Sequence, residues 1–205
     1  MVANIAFNPY IQTNAAGMFT IESDGLIVGT AYPDPAARFA LSGGWLATAE
    51  TLPMFGGIAI SENVPQERPP MTRADVALGG IIARATAYAN LTGFSVFDQN
   101  YAAVNTPQSP VPTVGSGGLV NFYRLGSGAR VALAIDPTLV SLEGGLITAQ
   151  VSWDFSAQRI IAFATTALAV KVLAIKASGC MRPVYNAGTG LTTWSYNDAA
   201  AVCLL

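Results

Sequence analysis

The run Ile147-Thr148-Ala149-Gln150-Val151-Ser152-Trp153-Asp154-Phe155 alternates apolar and polar side chains without a break. Side chains on an extended chain point to opposite faces in turn, so this run predicts a half-buried strand, with Val151, Trp153 and Phe155 inside and Ser152 and Asp154 outside. Just upstream, Val131, Leu133 and Ile135 alternate with Arg130, Ala132 and Ala134 and stop at Asp136-Pro137. Glu143-Gly144-Gly145 supplies a turn between the two runs. Downstream, Leu168–Ile175 is apolar on both faces except at Lys171, the pattern of a strand covered on both sides. Asn186-Ala187-Gly188-Thr189-Gly190 turns the chain into Thr192–Tyr196, and a last strand is expected over Ala201–Leu205. Short strands with turn signals every 8–12 residues or so argue for an antiparallel barrel or sandwich.

Working toward the N-terminus, the pattern loosens. Asn105–Gly118 holds Pro107, Pro110 and Pro112 and no charge, and each proline removes a backbone donor, so it reads as an extended arm or linker. Residues before it are punctuated by Pro33, Pro35, Pro53, Pro65, Pro69 and Pro70. Short helices are expected at Ala36–Ser42 and Asp75–Tyr88. The predicted fold is therefore mainly β. An irregular, mixed N-terminal region ending in the arm spans 1–114, and a C-terminal antiparallel β-barrel or sandwich spans 115–205.

Composition narrows the function. Hydrophobic residues make up 52% of the 205 and charged residues only 11%, against about 25% in an ordinary soluble domain. Charge keeps surfaces soluble, so a chain this poor in it is expected to give much surface to other protein. A membrane is not the expected partner: the longest apolar stretch, Ile160–Ile175, is broken by Thr165, Thr166 and Lys171 and falls short of the ~20 apolar residues of a spanning helix. Met1-Val2-Ala3-Asn4 shows no basic region or apolar core of a signal peptide. Net charge is −2 and the arginines are scattered singly. Direct nucleic-acid binding, which needs clustered positive charge, is not expected.

The chain contains no histidine, which removes the commonest general base and metal ligand. The twelve carboxylates form no spacing that suggests a catalytic dyad or calcium loop. Asp34, Asp136 and Asp154 are placed to cap turns. Gly115–Gly118 and Gly126-Ser127-Gly128 lack a following Lys-Ser/Thr and helix, so they are turns and not phosphate loops. Cys180 and Cys203 fit two buried free thiols, with a mutual disulfide as the alternative. No catalytic residue, cofactor or metal site is assigned, and a non-enzymatic protein is expected. Trp45, Trp153 and Trp194 are expected in the core, and Trp45, between Gly43-Gly44 and Leu46, is the candidate interface anchor.

Several stretches carry a resemblance. Thr92–Gln99, Thr106–Pro112, Leu125–Arg130, Val151–Phe155, Val170–Ile175 and Asn186–Trp194, in that order, resemble the structural cement (capsid decoration) proteins of tailed bacteriophages, over about residues 33–205. The resemblance implies a barrel-like domain that binds the phage major capsid protein and stabilises the shell. It also implies a virion location after synthesis in the host cytoplasm, and a homo-oligomer, dimer or trimer. It carries no catalytic or metal site. Another virion component, such as a tail or head-fibre protein, shares the same charge-poor β character. An all-β ligand-binding or carbohydrate-active protein is the third reading.

Overall fold

The computed structural model describes residues 26–32, 37–63, 80–97, 111–142 and 150–205. Among them the chain is mainly β, as expected. Strands β2 (Leu41–Leu46), β3 (Ala59–Asn63), β4 (Gly80–Arg84), β5 (Gly93–Ser95) and β6 (Leu119–Arg124) close into a barrel in the order β2-β4-β3-β5-β6. Strands β1 (Ala31–Tyr32), β7 (Arg130–Ala134), β10 (Lys171–Asn186) and β11 (Leu191–Leu204) form a second sheet ordered β1-β7-β11-β10. The hairpin of β8 (Val151–Asp154) and β9 (Arg159–Ala162) makes the third.

The closed barrel thus lies upstream of the C-terminal strands, which make an antiparallel sheet. Pairing also crosses the expected division at residue 114. β6 closes the barrel by lying antiparallel to β2, and β1 lies antiparallel to β7. In place of the helix expected over Asp75–Tyr88, the described residues give strand β4 and, from Tyr88, a 3-10 turn; β4 pairs parallel to β2 and antiparallel to β3. Glycine in β2 serves this pairing. A Cβ on Gly44 would lie 2.6 Å from the Gly80 carbonyl oxygen, so only glycine lets β2 and β4 approach. Ala36–Ser42 resolves into a single 3-10 turn, Ala37–Ala40, running directly into β2. The described part of the expected arm, 111–118, is packed and not extended into solvent. Val111 is fully buried, and Met54 and Val114 exchange both backbone hydrogen bonds at 2.8 Å.

Strand alternation builds the two larger apolar cores. Inside the barrel Leu46, Ile60, Ile82, Val120 and Phe122 meet Met54, Phe55, Ile58 and Val114. The outer wall of β3, β5 and β6 turns Ala59, Phe94 and Tyr123 into the larger core, against Val131 and Leu133 of β7, Val151 and Trp153 of β8, and Ala201 and Cys203 of β11. Phe94 and Trp153 meet edge to face with centroids 4.8 Å apart. Gln158 fastens the hairpin to the barrel: its Oε1 accepts from Ala59 N at 2.9 Å and its Nε2 donates to the Phe155 carbonyl at 2.7 Å.

The strand expected over Ile147–Phe155 is present from Val151 to Asp154, while Ile147–Ala149 and the turn at Glu143–Gly145 lie outside the described residues. Its polar face is not open to water. Ser152 is buried, donating to the Thr166 carbonyl (2.7 Å) and accepting from Ala164 N (3.1 Å). Leu168–Ile175 is not a central strand either. β10 starts at Lys171 and runs along the sheet edge, with Val172, Leu173 and Ile175 half-buried. Lys171, Lys176 and irregular register around Cys180 blunt that edge, as charges and bulges commonly do.

Candidate interface on the barrel wall

β2 reads Leu-Ser-Gly-Gly-Trp-Leu and alternates sharply: Leu46 points into the barrel at 1% exposure, Trp45 points out at 50%. Register places two apolar neighbours beside Trp45. Ile81 is its partner on the parallel strand β4 and Leu119 its partner on the antiparallel strand β6. Each is 42% exposed. With strands about 4.8 Å apart, the three side chains form a stripe roughly 10 Å across the wall. Leu41, on the same face of β2, is also exposed, and Phe39 in the preceding 3-10 turn is 91% exposed. By alternation the outward positions of these strands are Leu41, Gly43 and Trp45, then Ile81 and Ala83, then Leu119, Asn121 and Tyr123; none carries a charge.

Charge is kept on the inward side of the same strands. Arg124 donates from Nε and Nη2 to the two carboxylate oxygens of Glu62 at 2.8 and 2.7 Å, and from Nη1 to Ser42 Oγ at 2.8 Å. Hydrogen bonding to Glu62 raises the Arg124 pKa above its ordinary value. The fork ties β3, β6 and β2 together at one mouth of the barrel, so the stripe sits on a pinned surface.

Of the three tryptophans singled out by sequence, Trp45 alone is half exposed. Trp153 is 3% exposed in the larger core, where its backbone N–H donates to Tyr88 Oη. Trp194 is half-buried against Phe97, with centroids 5.9 Å apart. Ile81 and Leu119 were not singled out, because their place beside Trp45 depends on pairing between distant strands.

The turn-capping aspartates behave as expected where described. Asp154 Oδ1 accepts from Ser156 N and Ala157 N at 2.8 and 2.9 Å. Asp136 Oδ1 accepts from Thr138 N and Oγ1 at 3.0 and 2.7 Å, and Oδ2 lies 2.8 Å from Arg159 Nη2. The Thr138 bonds, with Arg159 behind them, hold the Asp136 carboxyl below the usual range. Asp34 lies outside the described residues. Gly117, Gly126 and Gly128 have positive φ in turns, in keeping with the reading of both glycine runs. Cys180 and Cys203 are buried free thiols. Cys180 sits opposite Asp198 and Cys203 opposite Val172, about five residues or ~17 Å apart along the sheet, far beyond disulfide reach.

Among the described residues no three His, Cys, Asp or Glu side chains gather as a metal site, and no helix is long and apolar enough to cross a membrane. Comparison with known proteins finds no matching family model, curated protein or solved structure.

Proposed function

We propose that this chain is a non-enzymatic structural virion protein that docks on the major capsid protein lattice of a tailed bacteriophage and stabilises the shell. The observation that carries the reading is the uncharged stripe of Ile81, Trp45 and Leu119 on a chain with so little charge elsewhere. Covering the exposed half of Trp45 removes roughly 75–125 Å² from water, worth about 2–3 kcal/mol; Ile81 and Leu119 add about 1 kcal/mol each. That gross gain is modest for one copy and partly offset by ordering on docking. Repetition over a lattice, and self-association as a dimer or trimer, would raise it by multivalency. The order of sequence stretches resembling cement proteins supports the same reading.

Apolar docking predicts a specific response to solvent. Salt weakens exposed charge pairs but leaves apolar burial intact, whereas urea solvates apolar and peptide groups. Purified phage shells incubated with the protein should retain it on sedimentation from 0.1 to 1 M sodium chloride (about one Debye length of 10 Å falling to 3 Å) and lose it in urea. Copy number should approach that of the major capsid protein. Release of most copies by salt alone, or failure to cosediment at any salt, overturns the proposal.

A further inference from the structure

Between the barrel, the β8–β9 turn and β10 lies a second feature, a cavity of about 150 Å³. Its walls come from the loop before β3, the end of β4, the β8–β9 turn and the distal half of β10. Phe55, Ile58 and Tyr185 give it apolar lining, and Arg84 and Arg182 also line it. No Asp or Glu lines it.

The two arginines are held differently. Arg84 is largely buried. It donates from Nη2 to the Pro53 carbonyl, lies over the Phe55 ring at 5.6 Å, and reaches Glu50 only at 3.9 Å. Its Nε is buried without a hydrogen-bond partner. Arg182 is half-buried on β10 and has no carboxylate partner among the described residues. Two arginines line this cavity, the one carboxylate near them pairs with Arg84 alone at 3.9 Å, and Arg182 is left without a counter-charge among the described residues. Burial correspondingly lowers the Arg84 pKa.

We propose that this cavity binds a small organic carboxylate whose apolar body is about the size of a benzene ring. The oxyanion would meet the arginines, whose charge-assisted hydrogen bonds are strong and whose planar geometry matches a carboxylate. The body would fill the space against Phe55, Ile58 and Tyr185. A volume of ~150 Å³ is that of a cavity known to hold benzene, which sets the size. The site is separate from the Trp45 stripe, and the inference does not depend on the capsid reading.

Calorimetric titration of the full 205-residue chain with sodium benzoate tests it, with benzyl alcohol and inorganic phosphate as companion probes. Benzoate should bind saturably at one site with a Kd in the millimolar range or tighter. Benzyl alcohol lacks the charge and phosphate lacks the apolar body, so each should bind at least about tenfold more weakly. Arg182→Gln should weaken benzoate by about 10–100-fold. Ala157→Leu, which fills the cavity from an incompletely buried turn position, should abolish binding; it decides the matter if the arginine variant does not fold. No saturable benzoate binding, equal binding of either companion probe, or unchanged affinity in a folded Ala157→Leu variant overturns the proposal.

Discussion

Replacing Phe94 with alanine tests whether the barrel and the second sheet are one cooperative unit. Phe94 is fully buried and belongs to β5, yet its side chain leaves the barrel and joins the larger core. Its neighbours across the strands are Ala59 and Tyr123, and its ring meets Trp153 edge to face at 4.8 Å. Deleting a buried phenylalanine costs about 3–5 kcal/mol through lost transfer energy and the cavity left behind. Phe94→Leu keeps most of the volume but removes the aromatic pair, worth about 0.5–1.5 kcal/mol beyond burial. In a chain of this size 1 kcal/mol moves Tm by about 2–4 °C. The alanine variant should therefore melt roughly 6–20 °C lower, and the leucine variant only a few degrees lower. Equilibrium urea unfolding followed by tryptophan fluorescence and far-ultraviolet circular dichroism gives the free energies and shows whether the two probes coincide. A cost below about 1 kcal/mol for Phe94→Ala would refute the packing argument. Two separated transitions in the unmodified protein would refute the single unit.

Three further outcomes follow from particular side chains. Trp45→Asp should cost about 2–3 kcal/mol of stability, the worth of the buried half of the side chain, while the folded variant loses shell occupancy at least about tenfold in the sedimentation assay; unchanged occupancy would remove Trp45 from the interface. Because the Asp136 pKa lies below the ordinary 3.8 in the folded chain, its stabilisation is present above that value and lost as pH falls through the lower folded value. Asp136→Asn should thus destabilise near neutral pH and converge with the unmodified protein in acid, and a gap that is constant across urea titrations from pH 7 to about 2 would contradict this. Burial pushes the Cys203 thiol up to about 12, so thiol reagents near pH 8 should modify it only as the chain unfolds. Native labelling as fast as in denaturant would show that Cys203 is accessible.

The β class was legible because alternation is local. Val131–Ile135 and Val151–Asp154 reveal their period in a few residues, and Asp136 and Asp154 cap turns two or three residues away. The barrel was not legible. Adjacent glycines or adjacent apolar residues mask the period of its strands, Gly43-Gly44 in β2, Ile81-Ile82 in β4 and Phe122-Tyr123 in β6. One of its pairings is parallel, and Gly80–Arg84 shares its composition with a weak helix. Long-range register also hid the candidate site. Trp45 could be noticed as a tryptophan among glycines, whereas Ile81 and Leu119 are ordinary apolar residues until β4 and β6 are laid beside β2. Ser152 shows the converse limit: a polar residue at the outward position of a strand is buried because another segment's backbone satisfies its hydroxyl.

Closure of the barrel by β6 on β2 sets an order of events during synthesis. β6 leaves the ribosome about 75 residues after β2, which at 5–20 residues per second is a wait of roughly 4–15 s. Through that interval Leu46 lacks Val120 and Phe122 of its core, and the edge of β2 that β6 will cover stays available to any other extended chain. Nascent copies made close together on one message are the nearest such chains. The edge is sealed in each copy only when Leu119–Arg124 arrives, so the growing chain is most open to mispairing before its sixth strand and least open after it.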